Sequence, residues 1–316
     1  MRENAPNARA SFISEELSWA VEAACERLPV DCVLLSGGVD SSLISAYYGC
    51  PAITVALMGS RAPDVHFAQM AAEKLGLYWL LVQVHPMEAM YSLCSLMALK
   101  KSFDRGIFND LPMYWALRFA RCRGWHNVGS GEGAELLFAG YDFLIRAGSD
   151  FRAYRRAALD ETRLSETFLG GEVGVMMKYP YLSPEVISVA DRTDLSDCVF
   201  ERSPGELVSK VPLRSAAMRR IPPTVAWRDR ADIEDGSGFS QLGPTVIAFA
   251  ERFRRPDNPC RLYWDEAHQA LHRMFTGVGL RITPPKSGMY GCEWCGGGVA
   301  IGRRHCPTCG AFPAHY

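Results

Sequence analysis

The stretch Ser36-Gly37-Gly38-Val39-Asp40-Ser41-Ser42 follows a short apolar run at residues 32–35 and precedes a segment whose pattern predicts a helix. A strand, a glycine-serine turn and a helix in this order are typical of phosphate binding. The two glycines lack a Cβ atom, so the backbone can turn sharply and approach an anion. Free N–H groups of the turn and the positive end of the helix dipole then face that anion. Asp40 would repel a bare phosphate, which predicts a bridging cation, Mg²⁺.

A second glycine-rich turn lies at Ser130-Gly131-Glu132-Gly133-Ala134-Glu135-Leu136-Leu137-Phe138-Ala139-Gly140-Tyr141, again between a predicted strand and a predicted helix. If the helix begins near Gly133, Glu132 and Glu135 both face the nucleotide-binding edge of the sheet. The other interpretation is a solvated helix start, where acidic side chains are favoured in any case. The first turn does not have the spacing of a Walker A loop, which needs Lys-Ser/Thr after its last glycine.

The order of the predicted elements indicates an α/β fold. Strand patterns occur at 31–36, 52–57, 78–84 and 127–129. Helix patterns occur at 14–27, with Ser14 as a cap, and at 63–74, 86–100 and 111–123. This alternation predicts a doubly wound parallel sheet covered on both faces, whose ligands bind beyond the carboxyl ends of the strands. From residue 151 to 274 strand patterns are few, and prolines divide a mostly helical region.

Three domains follow from this reading of the chain. They are a nucleotide-binding α/β core at 14–148, a mostly helical continuation at 149–284 and a small cysteine ribbon at 288–316. The 316 residues, 48% of them apolar, suffice for two domains with a sizeable core, and the ribbon is too small to hold a core of its own. A formal net charge of −1 does not favour nucleic acid as a partner, and no apolar run is long enough to predict a membrane span.

Eleven cysteines occur in the chain, and four of them are clustered near its C-terminal end. Cys292/Cys295 and Cys306/Cys309 form two Cys-x-x-Cys pairs separated by a glycine-rich hairpin. Four thiolates at this spacing suit one tetrahedral Zn²⁺ and leave no open position for catalysis. A redox role for the two pairs is the alternative. The seven scattered cysteines are interpreted as ordinary thiols of a cytoplasmic protein.

The two turns together closely resemble the synthetase domain of the asparagine synthetases, which belong to the PP-loop superfamily of ATP pyrophosphatases. In that family the second turn reads Ser-Gly-(Asp/Glu)-Gly-(Ala/Ser)-Asp-Glu-Leu-Phe-Gly-Gly-Tyr. Three further segments of this chain resemble the family in the same order: Asp110-Leu111-Pro112-Met113-Tyr114, Lys210-Val211-Pro212-Leu213-Arg214, and the stretch from Pro222 through Arg228 and Arg230 to Gly238. The resemblance covers about residues 14–250 and implies cleavage of ATP to AMP and pyrophosphate.

The resemblance also implies a role for each matching residue. Pyrophosphate would be held by Ser36, Gly37, Gly38, Asp40, Ser41 and Ser42. Asp40 and Glu135 would hold Mg²⁺, the backbone from Val55 to Leu57 would line the adenine, and Gly131 would close on the nucleotide. Glu132 would be the general base that takes a proton from the attacking amine. Arg230 would meet the pyrophosphate or the developing charge.

This chain departs from the family pattern at three positions of the implied site. Glu135 stands where the family has Asp, Leu136 replaces a Glu, and Arg230 replaces the point charge of a Lys by a planar fork. In addition, Arg2 follows Met1, where glutamine-dependent members have a processed catalytic cysteine, so we expect no glutaminase domain. Nitrogen would then come from free ammonia, from another amine or from a separate glutaminase or carrier partner.

These patterns predict a cytoplasmic, AMP-forming ligase that uses ATP, Mg²⁺ and a structural Zn²⁺. It would adenylate a small carboxylate, by resemblance aspartate, and form an amide with ammonia or an amine. One alternative is an enzyme that adenylates a nucleobase of tRNA before thiolation or amidation, for which a catalytic Cys122 or Cys94 would be needed. In that case Arg303 and Arg304 of the ribbon are available to contact nucleic acid. Another alternative is a non-catalytic nucleotide-binding scaffold.

Overall fold

A computed structural model describes residues 8–161 and 164–315. The chain divides into two compact units, each assembled from three segments. The first comprises Met1–Val55, Pro63–Val82 and Tyr114–Ala231, and the second comprises Ala56–Ala62, Gln83–Met113 and Asp232–Tyr316. Met1 and Arg2, on which the expected absence of a processed cysteine rests, lie outside the described residues, as does Tyr316 at the end of the predicted ribbon.

Five strands form the main sheet: β1 (Cys32–Leu34), β2 (Ala52–Leu57), β3 (Trp79–Val84), β4 (Asn127–Gly129) and β5 (Met176–Lys178). Their order in the sheet is β3-β2-β1-β4-β5. The pairs β1–β2, β1–β4 and β4–β5 are parallel, and Val33 lies between Ala52 and Gly129. The strand order reverses at β1 and β4, so a ligand crevice is expected at the carboxyl ends of these two strands. The predicted doubly wound sheet is confirmed.

Helices form most of the connections between these strands, and they also make up much of the rest of the described chain. In the first half of the chain they are α1 (Ala8–Arg27), α2 (Val39–Tyr48), α3 (Pro63–Leu75), α4 (Pro86–Lys100), α5 (Ile107–Cys122), α6 (Ala134–Leu137), α7 (Asp142–Arg146) and α8 (Phe151–Glu161). In the second half they are α9 (Ser165–Val173), α10 (Pro184–Asp191), α11 (Leu195–Cys198), α12 (Val211–Ala217), α13 (Pro223–Ala226), α14 (Ile233–Gly236), α15 (Gly243–Ala250) and α16 (Glu266–Gly277).

The core of the first unit forms where α1 packs against α2, α10 and α12. Leu17, Val21 and Ala24 recur at helical spacing along α1 and are fully buried. Leu43 and Ile44 of α2 are also fully buried. Burial of these apolar faces anchors α2, and with it the glycine-serine turn that leads into this helix.

The structure differs from the sequence predictions in three places. Helix α1 begins at Ala8, so Ser14 is not a cap but lies buried inside the helix. Strand β5 lies in the segment predicted to be mostly helical, because three residues are too few to show an alternating pattern. An antiparallel hairpin of β6 (Phe200–Ser203) and β7 (Glu206–Val208) was likewise not predicted.

In the second unit α4, α15 and α16 pack together. An antiparallel hairpin of β8 (Met289–Gly291) and β9 (Gly298–Ala300) has Cys292 and Cys295 in its loop, and Cys306 and Cys309 follow β9. The cysteine segment is bonded into this unit, because the carbonyl of Thr308 accepts hydrogen bonds from the Phe103 N–H (2.8 Å) and the Ser102 hydroxyl (3.1 Å). Among the described residues, no helix is both long and apolar enough to cross a membrane.

Candidate active site

The first turn connects β1 to α2 in the first unit. Gly37 has φ +71°, and a Cβ atom there would lie 2.3 Å from the Ala68 nitrogen and 2.6 Å from the Phe67 Cβ. Only glycine therefore fits this position without moving the backbone of α3. Gly38 is the N-cap residue of α2 and provides no side-chain cap, and the first N–H groups of a helix have no acceptor within it. These N–H groups are available to an anion.

Serine hydroxyls stiffen the same turn. The Ser41 hydroxyl accepts a hydrogen bond from the Ser36 N–H (3.2 Å) and lies 3.0 Å from the Ser36 hydroxyl. The Gly38 N–H donates to the Ser36 hydroxyl at 3.2 Å. The Ser42 hydroxyl is buried and has no partner among the described residues. Because a buried hydroxyl without a partner costs free energy, Ser42 is a candidate contact for a ligand.

The second turn follows β4 and lies against the first. The Ser130 N–H donates to the Lys178 carbonyl (2.9 Å), which places the start of this turn beside the end of β5. A Cβ atom on Gly131 would lie 2.8 Å from the Ser41 nitrogen, so the backbone of Gly131 packs directly on the first turn of α2. Gly133 adopts φ +97° and leads into α6, which carries Glu135. The two glycine-rich turns are therefore neighbours.

Asp40 and Glu135, the two predicted Mg²⁺ ligands, converge on one ammonium group. The Nζ atom of Lys210 lies 2.6 Å from Oδ2 of Asp40 and 3.1 Å from Oε1 of Glu135. The Lys210 side chain is only 5% exposed. The Nε atom of Arg230 lies 3.3 Å from the same Glu135 oxygen, and its Nη1 donates to the Gly140 carbonyl at 3.2 Å. Two acidic and two basic groups thus meet between the two turns.

Lys210 is a site residue that sequence reasoning placed in a matching segment without giving it a role. Lys210 has φ +59° immediately before α12, a conformation that non-glycine residues rarely adopt. This backbone geometry lies beside a charged cluster, where strained residues are often functional. The only sequence signal for Lys210 was its position at the start of the segment 210–214.

The charges of this cluster shift the pKa values of Glu132 and Lys210. Burial raises the pKa of Glu132, and the negative charge of Glu135 raises it further. Burial lowers the pKa of Lys210, but Asp40 and Glu135 outweigh burial and raise it overall, so Lys210 remains an ammonium ion. A carboxylate with a raised pKa accepts a proton more readily near neutral pH, which is the property of a general base.

The donor set fits a magnesium ion. Carboxylate oxygens are the protein ligands that Mg²⁺ prefers, and Asp40 and Glu135 already share one cation, the Lys210 ammonium group. The Oδ1 atom of Asp40 is buried and has no partner among the described residues. A cation would satisfy this oxygen.

The remaining predicted residues, Leu57, Cys94 and Cys122, are described by their own surroundings. Leu57 belongs to the second unit, where its N–H donates to the Ser237 carbonyl at 3.0 Å. Cys94 is half-buried, and burial raises the pKa of its thiol, whereas a nucleophilic thiolate needs a lowered pKa. Cys122 is exposed at the last residue of α5.

The clustered cysteines form a candidate zinc centre in the second unit. The Sγ atoms of Cys292, Cys295, Cys306 and Cys309 all lie within 4.8 Å of one another. Two of the Sγ–Sγ distances, Cys292–Cys309 and Cys295–Cys306, are 3.7 Å. Four sulfurs placed tetrahedrally at ~2.3 Å from a zinc ion would be about 3.8 Å apart. The thiols therefore fit a closed, structural Zn²⁺ site.

Removal of one zinc ligand is expected to open the ribbon. Trp294 lies between two of the ligands, is 8% exposed and packs on Trp264 with ring centroids 4.9 Å apart. We expect Cys306→Ser to lose zinc and to expose Trp294, because the metal supplies stability that so small a core cannot. Zinc content and tryptophan fluorescence measure the two effects. Cys122→Ser is the control and should keep its zinc content and its tryptophan fluorescence. Full zinc content in Cys306→Ser would contradict the assignment of Cys306 as a zinc ligand.

Comparisons with known proteins identify related sequences. The asparagine synthase family model matches residues 13–171. The chain is 27% identical over 238 residues to asparagine synthetase B [glutamine-hydrolyzing] of Escherichia coli K12, covering 66% of this chain and 42% of that protein. It is 26% identical over 243 residues to the probable asparagine synthetase [glutamine-hydrolyzing] of Dictyostelium discoideum, covering 66% and 43%.

The chain therefore spans less than half the length of these relatives. Among solved structures, NMN synthetase from Francisella tularensis is similar with a TM-score of 0.32 and 14% identity, covering 87% of this chain and 98% of that one. A TM-score this low does not support an inference about this chain. The family model alone spans half of the sequence and includes both glycine-rich turns, and the chain accordingly belongs to the asparagine synthase family.

Proposed function

We propose that this protein is an ATP-dependent ligase that adenylates a carboxylate, releases pyrophosphate, and forms an amide with ammonia or another amine. The observation that carries the proposal is the convergence of Asp40 and Glu135 on Lys210 between the two glycine-rich turns. Membership of the asparagine synthase family supports the use of ATP. Aspartate is the proposed carboxylate, and free ammonia or a separate glutaminase is the proposed nitrogen source.

In the first step an oxygen of the substrate carboxylate attacks the α-phosphorus of ATP, and the bond to the β-phosphate breaks. The N–H groups of the first turn and its serine hydroxyls bind the leaving pyrophosphate. Asp40 and Glu135 would hold Mg²⁺, which neutralises phosphate charge when bound. Lys210 and Arg230 add two fixed positive charges to the same place, where they stabilise the negative charge that develops as pyrophosphate leaves.

In the second step the amine nitrogen attacks the acyl carbon, and AMP leaves. The attacking nitrogen must lose a proton, and Glu132 is the proposed acceptor. The raised pKa of Glu132, caused by burial and by Glu135, suits this role. Holding the acyl-adenylate and the amine together in one crevice supplies the remaining rate enhancement.

Glu132→Gln is expected to separate the two steps. Glutamine keeps the shape of the side chain but cannot take a proton, so ATP–pyrophosphate exchange should persist while amide formation falls at least about 100-fold. Exchange of labelled pyrophosphate and amide release, measured on the same preparation, give the two rates. Glu172→Gln, at an exposed position of α9, is the matched control. Equal loss of both activities would refute the role of Glu132 as the base.

A screen of acceptors tests the proposed function as a whole. Pyrophosphate release is measured with ATP, Mg²⁺ and a panel of carboxylates, while ammonia, amino acids and tRNA are supplied separately. The proposal expects release that depends on a carboxylate and an amide product that depends on the amine. Release that depends on tRNA alone, or binding of ATP without release under any condition, would contradict it.

A further inference from the structure

Arg228 connects the first glycine-rich turn to the start of α3 within the first unit. Its Nη1 atom donates to the carbonyl of Ser36 (2.8 Å), and its Nη2 atom donates to Oδ1 of Asp64 (2.5 Å). The guanidinium lies over the Phe67 ring, 4.4 Å from the centroid. The side chains of Arg228 and Asp64 are 7% and 10% exposed. The pair is therefore a nearly buried ion pair beside the turn.

A buried ion pair is weak evidence for a contribution to stability, because removing both charges from water costs several kcal/mol. The contribution of this pair is to fix the relative position of the groups that it joins. A guanidinium has donors in a fixed planar fork, so Asp64 on one side and the Ser36 carbonyl on the other are held in one relative position. The ring of Phe67 lies against one face of the guanidinium and limits its movement on that side.

The bond to the Ser36 carbonyl determines where the next N–H group points. In a trans peptide the C=O of Ser36 and the N–H of Gly37 point in opposite directions. A carbonyl held on Arg228 therefore turns the Gly37 N–H away from Arg228. That N–H has no hydrogen-bond partner among the described residues. It is free to donate to an anion at the turn.

We propose that Asp64 and Arg228 are positioning residues that orient the Ser36–Gly37 peptide so that its N–H binds a nucleotide phosphate. Asp64 holds Arg228, Arg228 holds the Ser36 carbonyl, and Gly37 faces the phosphate. This inference rests on the nucleotide binding in the proposed function. It adds residues outside the two glycine-rich turns to the phosphate site.

The pair also makes nucleotide binding sensitive to pH. Burial raises the pKa of Asp64 to about 6, against the opposing effect of Arg228, the one charged side chain of the described residues that acts on this carboxyl. Below this pH Asp64 takes up a proton and loses its charge, so its hold on Arg228 weakens. Nucleotide affinity should then fall as the pH decreases through about 6.

The contribution of Asp64 to folding changes in the opposite direction. A carboxyl whose pKa is raised in the folded state binds more protons there than in the unfolded chain, so its contribution to the free energy of unfolding increases as the pH falls from about 6 to 4. Weaker nucleotide binding in this range is therefore not a consequence of unfolding driven by Asp64.

The test is the dissociation constant of Mg·ATP, measured by calorimetry between pH 5.5 and 8. We expect Asp64→Asn to bind about tenfold more weakly than the unmodified protein at pH 8, since Arg228 is then held by a neutral acceptor, whose hydrogen bond is weaker than that of a carboxylate. The difference should shrink below pH 6, where Asp64 is protonated. Arg228→Lys keeps the charge without the fork and should bind similarly weakly. Glu15→Gln, which breaks an exposed ion pair to Arg219, is the control.

The outcomes separate this inference from the proposed function. If Asp64→Asn and Arg228→Lys bind Mg·ATP as tightly as the unmodified protein at every pH, the inference fails and the ligase proposal stands. If the protein binds Mg·ATP but never releases pyrophosphate, the ligase proposal fails and the dissociation constants still decide the inference. The pH dependence of the Mg·ATP dissociation constant is measured on the unmodified protein, so it can be tested even if a variant does not fold. Absence of Mg·ATP binding in that protein would overturn both.

Discussion

Asp40→Asn is expected to lower ATP–pyrophosphate exchange at least about 100-fold, because it removes a charge that holds the proposed cation at the site of phosphate cleavage. Asparagine has nearly the same shape, so the packing of α2 should be preserved. The Oδ1 atom that lacks a partner and the Oδ2 atom on Lys210 both belong to this side chain. Initial rates of pyrophosphate exchange at saturating ATP, over a range of Mg²⁺ concentrations, measure the effect.

Asp142→Asn is the matched control for Asp40→Asn, because Asp142 is an exposed carboxylate in the first turn of α7. It should exchange pyrophosphate at the unmodified rate. Exchange at the unmodified rate in Asp40→Asn would remove Asp40 from the proposed Mg²⁺ site. A high Mg²⁺ concentration that restores exchange in Asp40→Asn would agree with weakened metal binding.

Lys210→Met is expected to destabilise the protein by about 3 kcal/mol when Mg²⁺ is absent, since it removes the buried cation that the two carboxylates share and leaves Arg230 on Glu135 alone. The lower end of the usual range applies because Asp40 and Glu135 are 19% and 24% exposed. Mg²⁺ should raise the free energy of unfolding more in this variant than in the unmodified protein, because the ion then supplies the positive charge that the ammonium group supplied. Denaturant unfolding with and without Mg²⁺ measures both effects.

The same variant should also lose activity. Lys210 is a buried charge fixed at the meeting point of the two turns, and removal of one preorganised charge of this kind costs about 100-fold or more in rate. Lys74→Met, in the last turn of α3, is the control for both measurements. If Lys210→Met were as stable without Mg²⁺ as this control, the two carboxylates would not depend on Lys210.

Two of the departures from the family pattern lie in contact with each other. Glu135 has one methylene more than the Asp that the family has there, and Arg230 replaces a Lys. Arg230 Nε lies 3.3 Å from Glu135 Oε1, so the longer carboxylate meets the planar guanidinium directly. The two replacements therefore act on one ion pair. We infer that they preserve the balance of charge at the site while changing its shape.

Local chemistry explains why some of the site could be predicted from sequence. Residues 36–42 and 130–141 predicted two neighbouring turns from a few positions each, because glycine permits the turn and the hydroxyl and carboxylate side chains lie next to it in sequence. The same holds for the four cysteines, whose spacing alone predicted a cluster that the structure brings within 4.8 Å. Strand β5 could not be predicted, because three residues carry too little pattern and their place beside β4 depends on long-range pairing.

The sequence by itself therefore predicted the doubly wound fold, the two glycine-rich turns and the cluster of four cysteines, since each turn and the cluster rest on residues close together in the chain. Only the tertiary structure decided that Lys210 lies between Asp40 and Glu135 and that Arg228 links Asp64 to Ser36. These contacts join residues far apart in sequence, and their positions follow from how α3, α12 and the segment after α13 pack around the first turn. Packing over such separations leaves no local pattern of residues from which it could be predicted.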